Sequence, residues 1–126
     1  MRRRDSPKLA EIIRLMECAV ENPLDIKQLS NAAGISPRQA ERLFREQLGA
    51  SPKAFYLQLR LARARTLLRQ TLKPILDIAF ECGFGSTSHL YHAYKRVFGI
   101  APTDERRRTA RVEDPRPGSS AAAARS

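Results

Sequence analysis

Apolar residues recur every three to four positions between Ser6 and Phe98, and no segment alternates apolar and polar residues over the length of a strand. This spacing predicts an all-α fold. Ser6-Pro7 indicates a capped helix with a first-turn proline, whose apolar stripe runs to Asn22-Pro23. Asp25 is predicted to cap a second, short helix, IKQLSNAA, that ends at Gly34.

Two further helices follow. Ser36-Pro37 opens a helix that Gly49 closes, and Ser51-Pro52 opens a longer one that reaches about Gln70. The longer helix is expected to pack against two bodies, because its apolar residues fall on two opposite faces. Those faces hold Leu57, Leu61, Ala64 and Leu68 on one side and Phe55, Leu59 and Ala62 on the other. The arginines between the faces fit either a DNA contact or a core helix whose charged side chains reach out to water.

The chain contains an internal repeat. Residues 36–52, SPRQAERLFREQLGASP, align without a gap with residues 86–102, STSHLYHAYKRVFGIAP, at a spacing of fifty positions. The helices before them match at a spacing of forty-nine, so that Gly34 corresponds to Gly83. Each copy is a short helix, a turn with glycine and a second helix, which is the plan of a helix-turn-helix.

The repeat predicts five segments along the chain. They are an N-terminal basic extension (1–5), a first helix-turn-helix subdomain (6–50), a linker helix (51–70), a second helix-turn-helix subdomain (71–108) and a disordered basic tail (109–126). The tail is predicted to be disordered because it lacks an apolar stripe and is rich in Pro, Gly, Ser and Ala.

Charge is distributed unevenly. The sequence holds 23 Lys and Arg against 13 Asp and Glu, but its basic ends supply much of the excess, so net charge alone favours a polyanionic partner only weakly. Residues 38–73 carry nine basic side chains and two acidic ones. This part of the fold is therefore predicted to face negative charge.

Other features narrow the class of protein. Cys18 and Cys82 have no CxxC neighbour and each falls on an apolar helical face, which favours buried thiols over a disulfide. No apolar run approaches the ~20 residues of a membrane span, and no signal peptide opens the chain. His89 and His92 could ligate a metal with Cys82, but two such histidines more often mark a polar helix face. We expect a soluble, cytoplasmic, nucleoid-associated protein with no membrane contact, no metal and no cofactor.

The second helix of each copy has an outward face, which remains after its apolar stripe is subtracted. In the first copy these residues are Arg38, Gln39, Glu41, Arg42 and Arg45; in the second they are Thr87, Ser88, His89, Tyr91, His92, Lys95 and Arg96. A helix fits the major groove of duplex DNA, where arginine pairs with guanine and a carboxylate can accept from cytosine. Contacts to the DNA backbone are expected from Ser36, Arg45, Lys53, Tyr56, Arg60, Ser86, Lys95 and Arg96, the two serines because helix N-termini hold phosphate.

The linker helix fits the spacing of DNA grooves. A helix of about 20 residues is ~30 Å long, and successive major grooves on one side of B-DNA are ~34 Å apart. A monomeric module is therefore expected to place two recognition helices in successive major grooves of an asymmetric, directly repeated site.

These segments resemble the DNA-binding module of AraC/XylS-type bacterial transcription regulators over about Pro7 to Arg108. Two motifs carry the resemblance, LSNAAGISPRQAERLFREQLGASPKAFYLQLRLARARTLL and IAFECGFGSTSHLYHAYKRVFGIAP, with the GF turn, the Tyr94-Lys95 pair and FG followed by Pro102. The segments ERLFR, YLQLRLARAR and APTDERRR are most similar to the subgroup whose N-terminal sensor domain has a class I glutamine amidotransferase or DJ-1 fold.

The resemblance implies a seven-helix, two-subdomain module that binds promoter DNA and activates transcription by contacting RNA polymerase. Matched by position, it implies base reading by Arg38, Glu41 and Arg42 in the first copy and by Thr87, Ser88, Tyr91 and His92, with His89 beside them, in the second. The family commonly has Arg at His92, and Phe at Leu90 and Tyr94, and many members have an aromatic residue near Glu105. The second helix is therefore left with two interpretations, base reading or backbone contact alone. Because such regulators normally carry a sensing domain, we expect an excised module of a parent that can dimerise.

Two other functions fit the sequence less well. A helical protein-interaction or anti-activator module would share the fold but bind all DNA sequences weakly and equally. An enzyme is not expected, because the sequence has no Gly-rich phosphate loop, no paired carboxylates near a base and no Ser with plausible His and Asp partners.

Overall fold

The computed structural model describes residues 6–113, and side chains for residues 6–110. Over this range the chain forms seven helices and no strand. In chain order they are α1 (Pro7–Cys18), α2 (Ile26–Ala33), α3 (Pro37–Leu48), α4 (Pro52–Gln70), α5 (Ile75–Glu81), α6 (Thr87–Phe98) and α7 (Pro102–Glu113). The predicted all-α fold is confirmed. None of these helices combines the length and the apolar character that crossing a membrane requires.

Local chemistry sets the ends of the first helices, as predicted. The hydroxyl of Ser6 accepts from the backbone NH of Leu9, which caps α1. Asp25 caps α2 in a reciprocal capping box, in which its side chain and that of Gln28 satisfy each other's backbone NH groups. Gly34 ends α2 with φ +76°, a left-handed conformation that favours glycine.

The described helices divide into two compact units, and unit 1 holds the residues up to Arg60 together with Glu81–Gly83. Its core combines residues of α1, α2, α3 and the start of α4: Leu9, Ile12, Met16, Leu29, Ala33, Ala40, Phe44 and Tyr56. The rings of Phe44 and Phe55 meet edge to face with centroids 5.6 Å apart. Burial of each large apolar side chain stabilises the unit by ~1.5–3 kcal/mol.

Unit 2 holds Leu61–Phe80 and the residues from Phe84 onward. Its buried side chains include Leu61, Ala64, Leu68, Ile78, Phe84, Leu90, Tyr94 and Ala101. The boundary between the units falls inside α4, so residues 51–70 are shared between the units and do not form the separate linker predicted from the sequence. The difference follows from burial, because Tyr56 belongs to the core of unit 1 and Leu61 to that of unit 2. Ala62, predicted to be on an apolar face, is exposed.

The first helix differs from the prediction in two ways. α1 ends at Cys18 rather than beside Asn22, because the carbonyl of Ala19 accepts a hydrogen bond from the hydroxyl of Tyr56 and the chain leaves the helical path there. The prediction that both thiols are buried is correct for Cys82 and wrong for Cys18, which is exposed. At 100° per residue Cys18 lies about 160° away from the buried Met16.

The C-terminal boundary is also corrected. α7 continues to Glu113, so residues 109–113 are helical and not part of a disordered tail. The hydroxyl of Thr109 donates to the carbonyl of Glu105 at 3.1 Å, and Ala110 has a high helix propensity. The rest of the predicted tail, 114–126, and the predicted extension, 1–5, lie outside the described residues.

Candidate nucleic-acid interface

The outward face of α3 carries three arginines and one glutamate. Arg38, Glu41, Arg42 and Arg45 are all exposed. Arg38 and Arg42 lie one helical turn apart, so their guanidinium groups project from one side of the helix. Within the described residues, the side chains of Arg38, Arg42 and Arg45 form no hydrogen bond or ion pair that would hold them back from a ligand. This face can donate several charge-assisted hydrogen bonds to an anionic or acceptor-rich surface.

The N-terminus of α3 changes the role predicted for Gln39. The hydroxyl of Ser36 accepts from the backbone NH of Gln39 at 3.1 Å, and the side-chain oxygen of Gln39 accepts from the backbone NH of Ser36 at 2.9 Å. This capping box fixes the first turn of the helix. Base reading by Gln39 stays a prediction that would use only its side-chain NH2 group, since its side-chain oxygen is already used in the cap.

The N-terminus of α6 repeats half of this arrangement. The hydroxyl of Ser86 accepts from the backbone NH of His89 at 3.1 Å, but residue 89 is histidine and returns no bond to Ser86. The His89 ring instead packs edge to face against Phe84, with centroids 5.2 Å apart. His89 therefore braces the turn before α6 in addition to being exposed.

The outward face of α6 is less cationic and more aromatic than that of α3. Its exposed residues are Thr87, Ser88, His89, Tyr91, His92, Lys95 and Arg96. The Tyr91 ring lies 5.8 Å from that of His92, and the Lys95 ammonium lies 6.0 Å from the Tyr91 centroid. Hydroxyl, imidazole and ammonium groups thus form one continuous donor-rich surface in unit 2.

Lys53 and Tyr56 lie near the start of α4, and both were predicted to contact the DNA backbone. The structure places them in different environments. Lys53 is exposed and lines a hollow of about 400 Å³ in unit 1, together with Glu41 of α3. Tyr56 is buried with 6% of its surface exposed, and its hydroxyl donates to the carbonyl of Ala19 and accepts from the backbone NH of Leu24 at 3.1 Å. The prediction that Tyr56 contacts DNA is wrong, because both hydrogen bonds of its hydroxyl are made inside unit 1.

Arg60 is also committed to the fold. Its Nε donates to the carbonyl of Cys82 at 2.9 Å, and its Nη2 donates to the carbonyl of Gly83 at 2.7 Å. Burial lowers the pKa of the Arg60 guanidinium from its ordinary value, although nearby groups oppose the shift. The predicted backbone contact by Arg60 is corrected, because the guanidinium instead holds the 81–83 segment.

Glu105 is a buried polar residue for which the sequence predicted no role. In unit 2 its Oε1 accepts from the Tyr94 hydroxyl at 2.7 Å and lies 3.2 Å from Arg65 Nε, while its Oε2 accepts from Arg69 Nε at 2.9 Å. Burial alone would raise the pKa of Glu105, but the hydrogen bonds from Tyr94 and Arg69 and the arginine charges lower it. Burial and the bond to Glu105 raise the pKa of Tyr94. In the sequence, Glu105 aligns with the apolar Phe55 of the first copy, and this mismatch could have indicated a buried polar residue.

Metal ligation is not suggested by the arrangement. Among the described residues, no three His, Cys, Asp or Glu side chains come close enough together to hold a metal ion. His89 and His92 are both exposed on α6.

Comparisons with known proteins agree with this geometry. A family profile described as "Helix-turn-helix domain" matches residues 29–108. The transcriptional regulator GbdR of Pseudomonas aeruginosa is 49% identical over 102 residues, which are 81% of this chain and 28% of GbdR. ArgR of the same organism is 42% identical over 100 residues, 79% of this chain and 30% of ArgR. The chain thus spans less than a third of the length of these curated relatives.

Solved structures give the same result. A transcriptional regulator from Chromobacterium violaceum with an AraC-type DNA-binding domain is 46% identical with a TM-score of 0.80, over 82% of this chain and 93% of that one. The DNA-binding domain of AdpA, solved in complex with a target DNA, is 26% identical with a TM-score of 0.80, over 86% and 97% of the two chains.

Proposed function

The chain belongs to the helix-turn-helix family of AraC-type transcription regulators, and on this premise we propose that it binds double-stranded promoter DNA of defined sequence through α3 and α6. One structural observation supports this function more strongly than the alternative functions. Each unit presents a helix that is capped at its start by serine, packed on its inner face and lined on its outer face by exposed donors. The AdpA domain, which shares this fold, was solved bound to its target DNA.

The two helices have different roles in this function. Arg38, Glu41 and Arg42 of α3 read bases, because free guanidinium groups one turn apart suit the acceptors of guanine. Thr87, Ser88, Tyr91 and His92 of α6 contact base edges with shorter or neutral groups, which discriminate less strongly. Ser36, Arg45, Lys53, Ser86, Lys95 and Arg96 contact phosphates and set the position of the module on the duplex.

Both helices contact one duplex, in successive major grooves. A single chain with two different outward faces then recognises an asymmetric site and needs no second copy to do so. In a longer parent, the DNA-bound module activates promoters by contact with RNA polymerase, in the cytoplasm where the nucleoid lies. A relative 32% identical to this chain, RhaS of Mannheimia succiniciproducens, is named a transcriptional activator. A parent with an amidotransferase-like sensor domain, able to dimerise, stays a prediction.

Selection of preferred duplexes from a random pool tests this function. We expect recovered sequences to share a motif, and the chain to prefer that motif over a shuffled duplex of equal length. Because phosphate contacts weaken as salt rises while base contacts do not release counterions, the ratio of the two affinities should hold or grow with salt. Equal loss of affinity on both duplexes would instead favour a protein-interaction module whose basic charge binds DNA indiscriminately.

A further inference from the structure

The buried carboxylate of Glu105 contacts α6 on its inner face, through Tyr94. The Glu105 side chain is 3% exposed, and both of its oxygens are occupied, by Tyr94 and Arg65 on one and by Arg69 on the other. Tyr94 lies on α6, the two arginines on the second half of α4 and Glu105 on α7. The Glu105 side chain therefore joins α7, on which it lies, to α4 and α6 within unit 2.

The repeat shows that this carboxylate is not needed to fill the space. At the spacing of fifty positions, Tyr94 and Glu105 correspond to Phe44 and Phe55. In unit 1 that pair is an edge-to-face contact between two rings. Replacing buried ion pairs with apolar residues of similar volume is often neutral or stabilising, so burial of Glu105 is weak support for a stability role alone.

The contacts of Glu105 extend along α6. The guanidinium of Arg65 lies 4.7 Å from the centroid of Phe98, the last residue of α6, and the Tyr94 and Phe98 rings are 4.6 Å apart. Glu105 is thus linked to the inner face of α6 directly at Tyr94 and, through Arg65, at Phe98 one turn later. Hydrogen bonds and ion pairs of this kind have preferred directions, whereas apolar contacts tolerate small rotations.

We propose that Glu105 is a positioning residue for DNA recognition, which fixes the rotation of α6 about its axis through Tyr94 and Arg65. At 100° per residue, His92 lies about 160° from Tyr94 around the helix, so a rotation at the inner face moves the outer face by the same angle. Glu105 would thereby determine where Ser88 and His92 stand against the bases. This role rests on the proposed contact of α6 with DNA.

Two conservative variants test the role. Glu105→Gln keeps the size of the side chain and removes its charge, and Tyr94→Phe removes only the hydroxyl. Binding is measured on the selected duplex and on duplexes altered base by base, at temperatures where circular dichroism shows each variant folded. Each variant should weaken binding about tenfold, the size expected for one coupled polar contact, and should flatten base preference only in the segment that α6 reads. If Tyr94 and Glu105 act through one network, the double variant should lose less than the sum of the two single losses.

Asp104→Asn is the matched control. Asp104 lies beside Glu105 on α7, but its carboxylate is half exposed and pairs with Arg107 of the same helix at 2.8 Å. This variant should bind like the wild type. A second control restores apolar packing: Tyr94→Phe with Glu105→Phe copies the pair of unit 1, and it should fold yet still lack base preference in the α6 segment.

Different outcomes test the proposed DNA binding and the positioning role of Glu105 separately. If the wild type prefers no sequence, the proposed function fails. If the wild type is selective and folded Glu105→Gln and Tyr94→Phe keep its base preference in the α6 segment, the positioning role is overturned and Glu105 serves stability alone. Tyr94→Phe leaves the ion pairs of Glu105 with Arg69 and Arg65 in place, so it decides the question even if Glu105→Gln does not fold.

Discussion

The hydroxyl of Tyr94 donates to the carboxylate of Glu105 at 2.7 Å, at the position where unit 1 packs the ring of Phe44 against that of Phe55. The two copies of the helix-turn-helix therefore share a backbone plan but not an interior. Unit 1 is held around this pair by apolar packing, and unit 2 by a charged network that includes Arg65 and Arg69. We therefore expect the two units to respond differently to pH and to substitution.

Acid should destabilise unit 2 through Glu105. Although burial would raise the pKa of Glu105, its hydrogen bonds from Tyr94 and Arg69 and the arginine charges lower that pKa in the folded state. A lowered folded pKa means that this stability is complete above the unfolded value, about 4.5, and is lost as pH falls through the folded value. Urea unfolding between pH 7 and pH 3 should show a steeper loss of unfolding free energy for the wild type than for Glu105→Gln. Parallel pH profiles would show that Glu105 does not carry the acid sensitivity.

Tyr56 should contribute to stability and not to DNA binding. Tyr56→Phe removes the hydroxyl between the Ala19 carbonyl and the Leu24 NH, and should cost ~1–3 kcal/mol of unfolding free energy because both backbone groups lose a partner. The DNA affinity of Tyr56→Phe should depend on salt concentration in the same way as that of the wild type. Lys53→Ala is the comparison, since loss of one phosphate contact should reduce the slope of log affinity against log salt by ~1. A reduced slope in Tyr56→Phe would mean that the hydroxyl does reach DNA.

A side chain at position 83 should lower the unfolding free energy more than one at Gly49. The φ of Gly83 is +85°, and an added Cβ would lie 2.6 Å from the carbonyl oxygen of Val20 and 2.7 Å from Pro23 Cγ. Gly49 has φ +70° but no atom within 4 Å of the added Cβ. Gly49→Ala should therefore cost only the ~1–2 kcal/mol of left-handed strain, while Gly83→Ala should cost more because the backbone must also move. Chemical unfolding of both variants checks the order, and equal losses would contradict the close contact.

Arg42 should carry base specificity in α3. Arg42→Ala should cost ~1–3 kcal/mol of binding free energy and relax preference at one position of the site, because a good contact between arginine and a base is worth that much. Arg14→Ala is a suitable control, since Arg14 is an exposed arginine of α1 outside the proposed interface. Binding to single-base variants of the selected duplex measures both effects. If Arg42→Ala binds with the wild-type affinity and preference, Arg42 is a solvated surface charge.

Much of the fold could be predicted because it depends on neighbours in sequence. Ser6, Asp25 and Ser36 cap helices through residues three positions away, and Gly34 and Gly49 end them locally. The outward residues of α3 and α6 followed from the apolar stripe alone, and all of them are exposed.

The errors about Tyr56 and Arg60 concern residues whose partners lie far along the chain. Tyr56 bonds to the backbone of Ala19, and Arg60 to that of Cys82 and Gly83, over separations that sequence patterns do not encode. An arginine or tyrosine at the edge of a helix looks the same whether it faces solvent or a buried carbonyl. Glu105 was missed for the same reason, since its three partners come from two other helices. Two features of the sequence indicated that its environment is unusual: Glu105 aligns with Phe55, and many members of the family have an aromatic residue near this position.

Footprinting of the single chain on its selected duplex tests most directly whether two recognition helices read one site. Two protected major-groove segments about one helical turn (~10 base pairs) apart are expected, without two-fold symmetry, with Arg42→Ala weakening the pattern in one of them only. A single protected segment, or a palindromic pattern that appears only at concentrations where two chains bind, would contradict the account.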